Sequence, residues 1–193
     1  FDQMKKIVAQ QITVEKFDSI TARLNFSGLL NNGRSDLPIV GEGVQPENEG
    51  QFSTALKITD GRQLTDQDKF GVMLGRGLAN GLKLKPGDTV TLLTNTIEGA
   101  LNSLDFEVIG IFQTFSNDYD AHTIKISLET AQELLSINAV NALVISLKET
   151  KDTDQITTLL KNKLDSFNLE VKTWIELNDF YEKTVDLYKS QFG

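Results

Sequence analysis

The sequence predicts an α+β fold, with a helix layer packed over a sheet, and three observations carry that expectation. Short apolar stretches punctuated by turn residues run through the first two-thirds of the chain. From Thr123 onward, strand-like stretches alternate with helical ones. The composition, 39% hydrophobic and 24% charged over 193 residues, is that of a globular protein able to bury a core without disulfides or metals.

The first element is a helix over Asp2 to Ile12, with Met4, Ile7, Val8 and Ile12 at helical spacing. Ser19 to Val44 is strand-like, with a hairpin turn in Leu29 to Gly33 and Pro38 opening the next strand. Gln45 to Gly50 is a polar connector containing Pro46, and Thr59 to Arg62 is a further turn. Val72 to Leu74 is a short strand leading into a helix whose apolar side is Leu78, Ala79 and Leu82. Lys85-Pro86-Gly87-Asp88 has the Pro and Gly placement of a type II turn. Thr89 to Thr94 and Phe106 to Phe112 follow as strands, with Ile97-Glu98-Gly99 turning between them.

The last third reads β-α-β-α-β. Its parts are strand Thr123 to Ile126, a helix from Leu128 to Leu135 capped by Ser127, and a buried strand from Val140 to Leu147. A helix striped by Ile156, Leu159, Leu160, Leu164 and Phe167 comes next, capped by Asp152 or Thr153. Leu169 to Ile175 is the last strand, and Trp174 on its opposite face is expected to be buried against helices. Asn178 to Phe192 closes the chain as a helix, with Tyr181, Val185, Tyr188 and Phe192 on one face. Because the chain begins at Phe1, it reads as an excised piece. Its two end helices fit either ordinary terminal helices or the stubs of a domain inserted between membrane spans.

Charge and composition exclude several functions. The net charge is −8 and the only arginines are Arg23, Arg34, Arg62 and Arg76, so there is no basic stripe to replace the counterions of a nucleic acid. An anionic membrane surface would repel such a domain. The lack of cysteine removes disulfides, thiol nucleophiles and zinc–thiolate sites. No stretch is long and apolar enough to span a bilayer, and no signal peptide is read.

Candidate chemistry is sparse. His122, the single histidine, stands beside Asp120, but a lone histidine near acids is usually a hydrogen-bonded surface residue rather than a base. Asn117, Asp118 and Asp120, and separately Asp60, Asp66 and Asp68, could offer oxygens to a hard cation. Neither group has the Gly and distal Glu of a calcium loop, so both read as solvated loops. Gly75-Arg76-Gly77 with Gly81 imitates a dinucleotide fingerprint. The third Gly comes one residue late and the helix is too short for a crossover, so these glycines read as packing residues. No catalytic, cofactor-binding or metal-ligating residue is assigned, and no cofactor is expected.

Four ordered segments carry a family resemblance. Gly75-Arg76-Gly77-Leu78-Ala79 with Leu82 to Leu92 resembles the "G-x-x-L-A-x-x-L-x-L-x-x-G-D-x-V-x-L" segment of MacB-like periplasmic core domains. Phe106 to Phe112 is similar to their "F-x-V-x-G-I-F" strand, and Ser127 to Leu135 to their strand-to-helix step. Thr173-Trp174-Ile175-Glu176-Leu177 is similar to their closing "W-x-E-L". The resemblance implies an extracytoplasmic domain of an ABC-transporter permease of the MacB, LolC or FtsX type, between the first two membrane helices of a bacterial inner-membrane protein. It implies a porter-like α+β part (residues 1–60 and 121–193) and an inserted, mainly β, sabre-like part (residues 61–120). The implied role is non-enzymatic: motion driven by ATP hydrolysis passes through the membrane helices to substrate export or lipoprotein release.

The implied partners are a cytoplasmic ATP-binding subunit, a second permease copy or paralogue, and a periplasmic chaperone or adaptor. The proline-bearing hook of chaperone-recruiting members is not placed on Pro38, Pro46 or Pro86. Two other readings stand beside this one. A free-standing envelope lipid- or ligand-binding module would need a deep apolar pocket, and a hydrolase would have to use His122.

Overall fold

The computed structural model describes Lys6, Val8, Gln10 and residues 16–49, 56–167 and 169–177. Lys6, Val8 and Gln10 are helical, while most of the helix read over Asp2 to Ile12 and all of that over Asn178 to Phe192 lie outside the described residues. The strands are β1 (Phe17–Asn31), β2 (Asp36–Val44), β3 (Lys57–Gly61), β4 (Gly71–Gly75), β5 (Thr89–Asn95), β6 (Leu101–Gln113), β7 (Thr123–Ser127) and β8 (Ala142–Leu147). The helices are α1 (Arg76–Leu82), α2 (Asn117–His122), α3 (Leu128–Leu135) and α4 (Thr153–Leu164).

The sheet runs β2-β7-β4-β6-β5-β1-β8, and β2 also pairs with β1. That extra ladder closes β2, β7, β4, β6, β5 and β1 into a ring, which removes the open edges of those strands. β2–β7 and β4–β6 are parallel; β1–β2, β1–β5, β4–β7 and β5–β6 are antiparallel. Period-2 alternation fills the ring. Leu24, Phe26 and Leu30 of β1, Val90 and Leu92 of β5, Phe106 and Val108 of β6, and Ile124 and Ile126 of β7 share one buried cluster. α1 adds Leu78, Ala79 and Leu82 to it, and α3 adds Ala131, Leu134 and Leu135.

Local chemistry fixes the connections. Between β1 and β2, Asn31 Oδ1 accepts from Gly33 N, and Asn32 Oδ1 accepts from Arg34 N and Ser35 N, all within 2.9 Å. The turn therefore sits at Asn32 to Ser35 rather than over the expected Leu29 to Gly33, and Leu29 and Leu30 remain in the strand. Gly87 (φ +91°) closes the Lys85–Asp88 turn, with Lys85 N donating to Asp88 Oδ2 at 2.9 Å. Ser127 caps α3 by accepting from Thr130 N at 3.2 Å.

Several expectations are corrected. Thr59 to Gly61 is not a free turn but the end of β3, which pairs with β6 through a register shift between Ile58 and Asp60. β8 is half-buried rather than buried, with only Ser146 below the surface. β7 and β8 stand apart in the sheet order, so the last third is not one contiguous β-α-β-α-β layer. Leu169 to Ile175 forms no strand: residues 169–173 are irregular and Trp174 to Leu177 is helical. The reason is a capping box, in which Glu176 N donates to Thr173 Oγ1 (3.2 Å) and Thr173 N donates to Glu176 Oε2 (2.7 Å). α2 was not expected, although Ser116 caps it by accepting from Tyr119 N at 3.3 Å.

Packing separates two compact units, Phe1–Asp18 with Ile145–Gly193, and Ser19–Val144. The second holds the closed ring with α1, α2 and α3. The first holds α4, buried along Ile156, Leu160 and Leu164, and a Lys16–Asp152 ion pair at 3.2 Å. Residues 61–120 contribute β4, β5 and β6 to the same ring as β1, β2 and β7.

Candidate functional site

On the face of β1, β2 and β7 opposite the core lies a row of charges. Residue alternation puts Arg23, Glu42 and Lys125 there, because Leu24, Gly43 and Ile126 take the inward positions. Glu42 and Lys125 are direct ladder partners, and Arg23 lies diagonally across from Glu42, whose own β1 partner is Asn25. Lys125 Nζ donates to Glu42 Oε2, Arg23 Nη1 donates to the same oxygen at 3.4 Å, and Tyr119 of α2 donates its hydroxyl to Glu42 Oε1 at 2.8 Å. Arg23 also grips Glu49 with two bonds, Nε to Oε1 at 3.2 Å and Nη2 to Oε2 at 2.5 Å. The Lys125 side chain is only 6% exposed and that of Glu49 7%.

Electrostatics agree with the geometry. Burial alone would raise the pKa of Glu42, yet Lys125 and Arg23 outweigh it and hold the carboxyl at about 2. Burial opposes the charge of Arg23 too, but Glu42 and Glu49 raise its pKa further. Each charge therefore has a partner, and what the cluster can do is tie three strands, α2 and the connector before Glu49 together. None of these residues was singled out from sequence. The readable signals were a lysine in the middle of the apolar run Thr123 to Ile126 and a glutamate between two strand glycines.

The sequence candidates fall elsewhere. Asp120 is buried rather than solvated, and its carboxylate accepts from Thr114 N (3.0 and 2.9 Å) and Thr114 Oγ1 (2.9 Å), closing the bend from β6 into α2. His122 ends α2 with Nδ1 3.0 Å from Asp118 O, so His122 and Asp120 each serve local backbone structure rather than each other. Asp68 holds Arg62 by two bonds of 2.7 and 2.8 Å and accepts from Thr65 N and Oγ1. Its pKa is lowered, chiefly by the Arg62 hydrogen bonds. Asp60 accepts from Gly61 N at 2.9 Å. Among the described residues no three acidic or histidine side chains converge as a metal site.

The glycine motif is a packing device. A Cβ on Gly75 would lie 2.2 Å from Asp120 O, and one on Gly77 would lie 2.8 Å from Ala121 Cα, so α1 and α2 pack backbone to backbone. Trp174 is 57% exposed, against expectation, because it opens a helix instead of continuing a strand. An open hollow of about 410 Å³ in the second unit is lined by polar and apolar residues together, including Lys69, Phe70, Asp105 and Glu107.

The fold is similar to that of the periplasmic region of MacB from Actinobacillus actinomycetemcomitans, with a TM-score of 0.59 and 17% identity over 94% of this chain and 82% of that one. It is also similar to the extracellular domain of the noncanonic ABC-type transporter YknZ from Gram-positive bacteria, at 0.58 and 14% over 86% of this chain and 85% of that one. These likenesses define the class of fold, that of the extracytoplasmic domains of ABC-type transporters. The sequence is 25% identical over 111 residues to the uncharacterized ABC transporter permease MJ1507 of Methanocaldococcus jannaschii, covering 55% of this chain and 26% of that protein. The chain thus spans about a quarter of that relative's length. It belongs to the MacB-like periplasmic core domain family, whose model matches residues 2–163, and is an extracytoplasmic domain of an ABC-transporter permease. No helix among the described residues is long and apolar enough to cross a membrane.

Proposed function

We propose that this domain is the non-enzymatic coupling part of its permease, moved as a rigid body by ATP hydrolysis on the cytoplasmic side. The observation that carries the reading is the family match over residues 2–163. The closed ring supports it, because a barrel with a single shared core transmits displacement instead of deforming. The non-enzymatic reading is supported by the local roles of His122, Asp68 and Asp120, each engaged in holding backbone. On this reading the domain faces the outside of a bacterial inner membrane. The partners would be an ATP-binding subunit, a second permease copy or paralogue, and an envelope chaperone or adaptor. The work would be substrate export or lipoprotein release. Residues 61–120 would be the sabre-like part and residues 1–60 with 121–193 the porter-like part, joined through the ring.

The test uses the full-length permease with its ATPase. A spin label is attached at Ser103→Cys, an exposed position on β6, after any cysteine elsewhere in the permease has been replaced by serine. The label-to-label distance between two permease copies is expected to shift between nucleotide-free and ATP-trapped states. An unchanged distance distribution under turnover conditions would end the coupling proposal.

A further inference from the structure

Two Asn–Gly pairs occur in the chain, Asn32–Gly33 and Asn80–Gly81. Such a pair is chemically labile, because glycine leaves its backbone nitrogen unshielded beside the preceding carboxamide. In an open chain the Gly nitrogen attacks the carbonyl carbon of the Asn side chain. The new C–N bond closes a five-membered succinimide, the bond to Nδ2 breaks, and ammonia leaves with the proton that the Gly nitrogen gives up. Water then opens the ring at either carbonyl and yields aspartate or isoaspartate.

Asn80 lies within α1, where side chains lean toward the helix N-terminus and so away from the next nitrogen. Asn32 stands instead in the turn between β1 and β2, whose next residues, Gly33 to Ser35, are exposed. Both of its reacting groups are engaged. The Gly33 N–H donates to Asn31 Oδ1 at 2.5 Å, so the proton that must leave is held. Asn32 Oδ1 accepts from Arg34 N and Ser35 N, each at 2.9 Å, and Asn32 Nδ2 donates to Leu82 O at 2.9 Å. Three bonds thus fix the carboxamide toward groups other than the Gly33 nitrogen. They also give Asn32 a second role. Leu82 is the last residue of α1, so its carbonyl has no partner within the helix, and the Asn32 amide supplies one. Asn32 is therefore the joint between the β1–β2 turn and α1.

We propose that Asn32 is a masked deamidation site, shut by the fold and opened only when the turn lets go of the carboxamide, and that reaction there releases the joint to α1 irreversibly. The aspartate product still accepts from Arg34 N and Ser35 N, but it has no N–H for Leu82 O and sets two acceptors face to face. The isoaspartate product runs the main chain through the former side-chain carbon, which adds one atom to the turn and takes Oδ1 out of its cap.

The test is timed peptide mapping of the 193-residue chain at mildly alkaline pH, folded in buffer and unfolded in guanidinium chloride, with Asn32 and Asn80 resolved in separate peptides. Deamidation at Asn32 is expected to be slower in the folded chain by on the order of 100-fold, the factor that three net hydrogen bonds supply. Like rates at Asn32 in the two states overturn the masking. Release of the joint is read from Asn32→Asp, whose thermal midpoint is expected to fall below that of the unaltered chain. An Asn32→Asp chain that melts with the unaltered one overturns the joint.

Discussion

Glu42 is the residue on which Lys125, Arg23 and Tyr119 converge. Removing its charge alone leaves Lys125 buried without its counter-ion, a change worth about 3 kcal/mol. The folded pKa of about 2 lies below the ordinary 4.5. The stabilisation is therefore complete above the ordinary carboxylate range and fades as pH falls through about 2. Glu42→Gln should lower the urea midpoint strongly at pH 7, and the gap from the unaltered protein should close toward pH 2. A gap of constant size at both pH values would mean that packing, not charge, is lost. Asp68 follows the same direction, with its contribution from Arg62 present above its ordinary pKa and lost on acidification. At this scale little of the site was legible, because an ion pair between residues 83 apart leaves no mark in local sequence. Only the oddness of Lys125 within an apolar run and of Glu42 between two glycines was visible.

At the scale of elements, the sequence placed most of what the structure contains. α3 has the bounds expected from its periodicity and the Ser127 cap, β5 and β7 lie where they were expected, and β6 begins at Leu101, five residues before the expected Phe106. The missed strand at Leu169 to Ile175 has a local cause. Thr173 to Leu177 carries both strand alternation and a capping box, and the box prevails because it satisfies two backbone donors at once. The glycine segment before α1 allows a direct comparison. Gly75→Ala should destabilise severely, since its Cβ would strike the Asp120 carbonyl. Gly81→Ala meets only Leu37 Cδ1 at 3.4 Å, and helix propensity should make it neutral or stabilising by up to about 1 kcal/mol. Thermal melts of the two variants check this, and equal effects would contradict the packing account.

At the scale of the whole molecule, the closed ring makes a prediction about cooperativity. Strands β4, β5 and β6 from residues 61–120 share their core with β1, β2 and β7. Native-state hydrogen exchange should therefore report one common opening free energy for the central amides of all six. Exchange from β4 to β6 through a separate, lower-energy opening would instead make residues 61–120 an independent folding unit. Coupled opening also suits a domain that carries motion, since a body that opens piecemeal dissipates displacement.

By itself the sequence determined the α+β class, the order of most elements and the family. All of these depend on local periodicity, turn chemistry or ordered motifs. Only the tertiary structure decided that the strands close into a ring, that β7 lies beside β2 while β8 lies beside β1, and that Arg23, Glu42 and Lys125 meet. These are pairings between distant segments, and period-2 alternation says which face of a strand is buried without saying which strand lies next to it.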